Sequence, residues 1–199
     1  FKMIANAKES INLQTLIFVD DETGWKMAKA LAEAAQRGVK VRVVYDELAS
    51  IIAHKEIFDF MRKAGVEVKG HAHPLKEPWN INNRWHEKTF IVDGKEAIHG
   101  GMNIANEYAM GGSGIPLVHM ATGGEGPPWR DTDVKLTGPA VADSQAAFLK
   151  NWATLGGKVA DDEYPKLFPD GVYPANTGMV VVELARPSLL IEVEAIAVG

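Results

Sequence analysis

Residues 11–45, INLQTLIFVDDETGWKMAKALAEAAQRGVKVRVVY, predict a strand, a helix and a second strand in succession. Residues 11–19 are mostly apolar and β-branched, as in a strand that is buried on both faces of a sheet. Over residues 25–37 the apolar side chains form one helical stripe, and Gly38 stands where a left-handed cap ends a helix. Residues 39–45 are the second strand. This order predicts a helical crossover between two parallel strands.

The remaining elements continue this alternation of strands and helices as far as about residue 155. They are, in chain order, a helix over 55–63, strands over 66–69, 85–93, 95–100 and 133–136, and a helix over 139–152. The strands on either side of Asp93-Gly94 are expected to pair as a hairpin. We therefore predict an α/β fold with a mixed, mostly parallel β-sheet that is flanked by helices on both faces.

The composition is that of a globular protein, with 46% hydrophobic and 24% charged residues. A formal net charge of -5 removes the simplest electrostatic case for nucleic-acid binding, since such proteins normally carry a basic surface. The absence of cysteine excludes disulfides and thiolate metal sites. No apolar run approaches the roughly 20 residues that span a bilayer.

The candidate chemical motif is His86-Glu87-Lys88-Thr89-Phe90-Ile91-Val92-Asp93, followed by Gly100-Gly101-Met102-Asn103. On a strand, His86 and Lys88 point to the same face. Imidazole can attack phosphorus or protonate a leaving oxygen, and a lysine ammonium stabilises charge on phosphoryl oxygens. Gly100 and Gly101 permit close backbone approach, and Asn103 can donate a hydrogen bond to the same phosphate.

A lone His-x-Lys pair is common by chance, so the surrounding residues matter. The pattern H-x-K-x4-D followed by G-G-x-N resembles the phospholipase D superfamily over roughly residues 1–155. Further points of resemblance are Asn83-Arg84, Asn106-Glu107-Tyr108, Arg130-Asp131-Thr132-Asp133 and Thr137-Gly138-Pro139-Ala140-Val141. The resemblance implies a phospholipase D-like fold and phosphodiesterase or phosphatidyltransferase activity without a metal or other cofactor.

The resemblance also implies a role for each motif residue. His86 is expected to be the nucleophile that forms a phosphohistidine, or its general-acid counterpart. Lys88 and Asn103 are expected to bind phosphoryl oxygens, and Asp131 to orient the histidine. Asp133 is a weaker candidate for that orienting role.

Other residues near the motif receive less specific interpretations. Asp93 lies at a strand end, on the face opposite His86, which favours a structural turn residue. Glu107 is a second candidate to orient the histidine, but a helix-surface role is simpler.

Trp85, Gly100 and Gly101 are predicted to contact substrate. For the aromatic residues Trp79, Trp85 and Trp129, core packing explains the sequence about as well.

Five histidines outside the motif have weaker interpretations. His71 and His73 alternate as metal ligands might, but without a third ligand a solvated loop is favoured. His99 either lines the pocket or packs. No partner can be identified from the sequence for His54 or His119.

Only one His-x-Lys-Asn set occurs in this chain, whereas the resembled family uses two. The second set comes either from a homodimer mate or from a second half of the same polypeptide. We expect residues 1–155 to be one catalytic half, 156–178 a connector, and 179–199 the truncated start of a second half, which favours the single polypeptide.

The predicted substrate is a phospholipid, and the enzyme is expected to be a cardiolipin synthase-like transphosphatidylase or a phospholipase D at a bacterial membrane surface. Trp85 and residues 104–108 look most like the bacterial lipid-acting branch. Apolar residues in the predicted mobile loop 111–128 fit contact with acyl chains. The alternative is a metal-independent endonuclease that works as a homodimer, although the acidic balance disfavours nucleic acid. The intact His86, Lys88 and Asn103 argue against a degenerate interaction module.

Overall fold

The computed structural model describes residues 1–51, 53–71, 84–109, 129–160 and Glu163. They form one six-stranded sheet with helices on both faces. The helices are α1 (Lys2–Asn6), α2 (Glu22–Gln36), α3 (Lys55–Lys63), α4 (Asn106–Ala109) and α5 (Ala140–Thr154). The strands are β1 (Ser10–Thr15), β2 (Lys40–Asp46), β3 (Glu67–His71), β4 (Thr89–Val92), β5 (Glu96–Gly100) and β6 (Asp133–Thr137).

The strand order is β3-β2-β1-β4-β5-β6. The pairs β1-β2 and β2-β3 are parallel, whereas β1-β4, β4-β5 and β5-β6 are antiparallel. The mixed α/β sheet with helices on both faces is confirmed, but the expectation of a mostly parallel sheet is wrong. A parallel pair needs a helical crossover, and the short turn at Asp93 and Gly94 returns the chain as an antiparallel hairpin instead.

Two hydrophobic clusters lie on opposite faces of the sheet, because neighbouring residues of one strand face opposite ways. Val43 of β2 packs in the larger cluster with α1, α2 and α3, and its neighbour Val44 packs in the smaller cluster beneath α5. The core of the smaller cluster includes Phe148, Leu149 and Trp152, all at most 2% exposed. The sheet is therefore the middle layer of three.

The first strand ends earlier than its apolar run predicts. Residues 11–19 were expected to be one strand, but regular pairing stops at Thr15. Phe18 and Val19 remain buried, and Phe18 forms an isolated bridge to Ile104 beyond β5. Phe18 and Val19 are buried by a bend in the chain and not by a continuing strand, and hydrophobicity alone does not distinguish the two.

Several predictions concern residues outside the described ranges. They include the loop 111–128, the residues of the 156–178 connector other than 156–160 and Glu163, the segment 179–199, and the side chains of His73, Trp79 and His119. Among the described helices, none is long and apolar enough to cross a membrane.

Asp93 joins the β4-β5 turn to the start of β1. Its carboxylate accepts hydrogen bonds from the backbone amides of Lys8, Glu9 and Ser10, at 2.7 to 3.1 Å. Burial raises the pKa of this carboxyl, but the three amides and Lys95 outweigh burial, so the pKa lies below its ordinary value. Asp93 also has φ 53°, a conformation that Asp tolerates better than most residues.

We expect Asp93→Ala to lower the free energy of unfolding by about 1–3 kcal/mol, because three amides lose a charged acceptor. In the unmodified protein this contribution is present above about pH 4, and it is lost as the pH falls through the lowered folded-state pKa. Urea unfolding at about pH 7 and pH 3 measures both effects. Asp59→Ala, which removes an exposed carboxylate, is the control. Loss of chemistry in a fully stable Asp93→Ala protein would contradict the structural role.

Candidate functional site

The segment 84–88 carries His86 and Lys88 and lies just before β4. It was expected to belong to a strand over 85–93, but the strand begins only at Thr89. The pairing between β1 and β4 stops at Gln14 and Thr89, and β1 itself ends one residue later. Beyond Thr15, residues 85–87 therefore have no strand partner on the β1 side within the described part of the chain.

His86 and Lys88 are nevertheless adjacent. The Lys88 Nζ lies 3.1 Å from His86 Nδ1, 3.2 Å from His86 Nε2 and 2.6 Å from the His86 carbonyl oxygen. Glu87 turns the other way and accepts a hydrogen bond from Gln14 at 2.8 Å. The alternation expected of a strand therefore persists, and the predicted proximity of imidazole and ammonium is confirmed.

The two side chains differ in burial. His86 is exposed, whereas Lys88 is only 7% exposed. Burial lowers the pKa of Lys88, and the nearby carboxylate of Asp131 acts in the opposite direction. The Lys88 ammonium lies almost equally close to both ring nitrogens of His86, so its positive charge is placed directly beside the imidazole.

Asn103 is held in one orientation by the bend after β1. Its Oδ1 accepts hydrogen bonds from the Ile17 amide at 2.9 Å and from Thr15 Oγ1 at 3.3 Å. Its Nδ2 donates to the Tyr108 hydroxyl at 2.9 Å. The protein thus occupies the carbonyl of the amide, and the NH₂ group keeps a second hydrogen that can donate to an anion.

Gly100 and Gly101 lie against the segment 131–133. A Cβ at Gly100 would clash with Asp133 and the Thr132 carbonyl, and a Cβ at Gly101 would clash with the Asp131 carboxylate. The sequence suggested that these glycines make room for substrate. In the structure they make room for the protein's own aspartates, and their contact with substrate stays a prediction.

Asp131, the predicted orienting carboxylate, accepts a hydrogen bond from the Thr132 amide at 2.7 Å. In the described part of the chain it has no hydrogen bond to His86, and its charge acts on Lys88 instead. Asp133 accepts from the Met102 amide at 3.3 Å, and burial raises its pKa. The orienting role of Asp131 therefore stays a prediction, and its electrostatic effect on Lys88 is the role that the geometry supports.

Two other histidines have clearer surroundings than the sequence indicated. His71 was expected in a solvated loop, but it ends β3, is only 6% exposed and stacks on Trp85 at 3.9 Å between ring centroids. His54 had no identifiable partner, but its Nδ1 contacts the Asp20 carboxylate. Both differences arise from contacts between residues 14 or more positions apart.

The remaining candidates lie around the edge of the site. His99 faces α5, where Nε2 lies 2.8 Å from Ser144 Oγ and Nδ1 lies 3.1 Å from Thr89 Oγ1. Glu107 is fully buried on α4. The ring of Trp129, 42% exposed, meets that of Tyr108 edge-on at 5.4 Å.

Three residues of the site were given no role by the sequence analysis. Asp46, at the end of β2, forms a two-point ion pair with Arg84, and Tyr108 contacts Asn103. The sequence could have indicated Asp46, because it is a carboxylate at the end of a buried strand. Arg84 and Tyr108 were noticed only as points of family resemblance.

A largely apolar cavity of about 240 Å³ lies next to Lys88. Lys88, Asn103 and Tyr108 contribute polar groups to its wall. Its apolar wall includes Leu13, Met27, Phe90, Ile98, Met102 and Ile104. A cation beside an apolar cavity can accept a ligand that joins a phosphate to apolar groups.

The sequence model of the family described as "Cardiolipin synthase, PLD-like domain" matches residues 1–110, which include His86, Lys88 and Asn103. The chain belongs to this family. In this phospholipase D-like domain the motif thus lies at the carboxyl end of the parallel strands, a usual position for ligands in α/β sheets.

Curated relatives of this phospholipase D-like domain include the major cardiolipin synthase of Bacillus subtilis (strain 168), which is 35% identical over 90% of this chain and 35% of that protein. Cardiolipin synthase A of Pseudomonas fluorescens (strain SBW25) is 34% identical over 86% of this chain and 34% of that protein. The chain therefore spans about a third of the length of these relatives.

Among solved structures, phosphatidylserine synthase from Haemophilus influenzae Rd KW20 resembles this domain with a TM-score of 0.52 and 19% identity. The match covers 76% of this chain and 33% of that chain. At this identity the likeness shows a shared fold alone, and the phospholipase D-like family is given by the match of the family model.

Lys88 and Asn103 are the candidate phosphate-binding groups of this domain. Within the described ranges, no three histidine or carboxylate side chains are grouped as metal ligands. The charge that a metal would supply can come from Lys88, with Asn103 as a neutral donor.

The pH dependence of kcat/KM is expected to report on Lys88. Phosphate is expected to bind the charged form of Lys88, so activity should fall as the pH rises through the lowered pKa of Lys88. Asp131→Asn removes the carboxylate that raises this pKa, so the alkaline limb should move to lower pH, with a smaller loss of rate than His86→Ala. Profiles between about pH 6 and pH 10 measure the shift. Asp59→Asn is the control, and an unmoved limb in Asp131→Asn would contradict the assignment.

Proposed function

We propose that this domain is one catalytic half of a phosphatidyltransferase or phospholipase D that acts on phospholipids at a membrane surface. His86 attacks the phosphodiester or protonates the leaving oxygen, in a two-step reaction through a phosphohistidine. In the first step, the bond from the nitrogen of the nucleophilic histidine to phosphorus forms as the bond to the leaving oxygen breaks, and the other histidine protonates that oxygen. In the second step, water or another alcohol gives its proton to this other histidine and attacks phosphorus, which breaks the bond to the nucleophilic histidine.

The observation that carries the proposal is the contact between Lys88 and His86 next to the apolar cavity. Lys88 stabilises negative charge on the phosphoryl oxygens, and its burial strengthens that interaction because less water screens it. The second hydrogen of Asn103 Nδ2 can bind the same oxygens. A phosphate at Lys88 leaves the apolar part of a lipid next to the cavity.

The names of the curated relatives support a lipid substrate, since both are cardiolipin synthases. The charge balance also favours lipid over nucleic acid, because the chain has 21 basic and 26 acidic residues. The alternative function is that of a metal-independent endonuclease, and the experiment below tests it by offering DNA beside the lipid.

The substrate class is tested with the natural full-length protein in the presence of EDTA. The protein is offered phosphatidylglycerol vesicles and, separately, single-stranded and double-stranded DNA. We expect release or exchange of the lipid headgroup and no strand cleavage, because the site combines one buried cation with an apolar cavity. The same assays on His86→Ala identify any activity that does not come from this site.

Two results would contradict the proposal. The first is DNA cleavage that is lost in His86→Ala, with no lipid turnover across several headgroups. The second is an activity that EDTA abolishes and one specific metal restores, since Lys88 and Asn103 would then not supply the main charge stabilisation.

A further inference from the structure

The position of His86 requires an explanation that the sheet does not provide. His86 lies three residues before β4 begins, and its side chain is exposed. Catalysis needs the reacting nitrogen in a defined position, since a misplacement of about 1 Å can cost about 100-fold in rate. Contacts from outside the sheet pairing must therefore hold the segment 84–88.

An ion pair between Asp46 and Arg84, two residues before His86, holds this segment. Arg84 Nε lies 3.0 Å from Asp46 Oδ2, and Arg84 Nη2 lies 2.9 Å from Asp46 Oδ1. The Ala49 amide donates to Asp46 Oδ1 at 2.7 Å, so the carboxylate is itself fixed. The exposed fractions of the side chains are 1% for Asp46 and 33% for Arg84. Two parallel hydrogen bonds fix both the distance and the orientation of the guanidinium.

Trp85 and Glu87 hold the same segment through contacts that do not involve the ion pair. Trp85 stacks on His71 at the end of β3, with 11° between the ring planes. Glu87 accepts hydrogen bonds from Gln14 at 2.8 Å and from Asn151 at 3.1 Å. These contacts should keep the segment in place when the ion pair is weakened. Loss of the ion pair should then appear as a small displacement of His86 and leave the fold intact.

We propose that Asp46 and Arg84 are positioning residues that set the location of His86 relative to Lys88. The inference rests on the proposed function, because it assigns a purpose to the position of His86. Asp46 ends β2, so the ion pair connects the rigid parallel part of the sheet to the reacting histidine. Neither residue needs to contact the phosphate.

The test uses Arg84→Lys and Asp46→Asn in the natural full-length protein. Lysine keeps the charge but cannot form two parallel hydrogen bonds, and asparagine keeps the shape but loses the charge. We expect kcat to fall by about 100-fold, with KM changed less than about threefold. The double variant should lose little more than either single variant, because both remove the same interaction. Guanidinium ion added to Arg84→Ala should restore part of kcat.

Two controls separate positioning from loss of stability. Asp59→Asn removes an Asp-Arg pair on α3, and Ile57→Val removes one methylene from a buried side chain of the same helix. Both should keep their kcat, and thermal unfolding should show that Arg84→Lys is no less stable than Ile57→Val. Retention of at least half of kcat in Arg84→Lys would overturn the proposal, as would a loss explained by unfolding or by KM alone.

The variant His86→Ala separates the positioning inference from the proposed function. If His86→Ala is inactive while Arg84→Lys is fully active, the positioning inference fails and the proposed function stands. If His86→Ala keeps its activity, the proposed function fails, and the positioning inference fails with it.

Discussion

Replacing His86 with alanine is expected to lower turnover by about two to six orders of magnitude, because the reaction loses either its nucleophile or its general acid. The fold should be unchanged. His86 is exposed, and exposed side chains outside special contacts usually alter stability by less than about 0.5 kcal/mol. Steady-state rates on phosphatidylglycerol vesicles and thermal unfolding measure the two effects.

The matched control is His54→Ala, which removes another exposed histidine. His54 contacts Asp20 and takes no part in the site. His54→Ala should keep its turnover within about twofold, as expected for a surface substitution. Substantial turnover in a folded His86→Ala protein would show that the reaction does not depend on this histidine.

The second large effect concerns the completeness of the site. A preparation of residues 1–199 that sedimentation shows to be monomeric is expected to react about 10²- to 10⁴-fold more slowly than the natural full-length protein. One histidine cannot serve as nucleophile and general acid at the same time, and general acid catalysis is typically worth a factor of this size. If two copies of the chain complete the site, the rate per chain should rise with protein concentration.

Complementation tests whether the second His-x-Lys-Asn set comes from a homodimer mate or from another part of the same polypeptide. Separately expressed remaining residues of the natural protein, added to the chain, should restore the rate if both halves belong to one polypeptide. The same mixture made with His86→Ala is the control and should stay inactive. A monomeric preparation with the full rate would contradict the requirement for a second His-x-Lys set.

Much of the fold could be predicted because it depends on short-range patterns. The helix predicted over about residues 55–63 is confirmed at Lys55–Lys63, since an amphipathic stripe and Gly65 define it locally. The hairpin at Asp93 and Gly94 was also predicted correctly, because turn residues between two short strands are a local signal. The mostly parallel sheet was wrong because strand direction depends on which neighbours pair, and that choice is made across the whole sheet.

The candidate site divides in the same way. The adjacency of His86 and Lys88 follows from their spacing of two residues, and it survives although the strand begins only at Thr89. The contacts of Asn103 could not be predicted, because Thr15 and Ile17 lie 88 and 86 residues earlier in the chain.

The sequence by itself indicated which residues are candidates for the chemistry and which family the chain resembles, since motif and spacing are local properties. Only the tertiary structure decided how those residues are held. Asp46 meets Arg84, and Asp93 meets the amides before β1, because the sheet places β4 beside β1 and next but one to β2. Such contacts join residues 38 to 85 positions apart, and no periodicity within one segment encodes them.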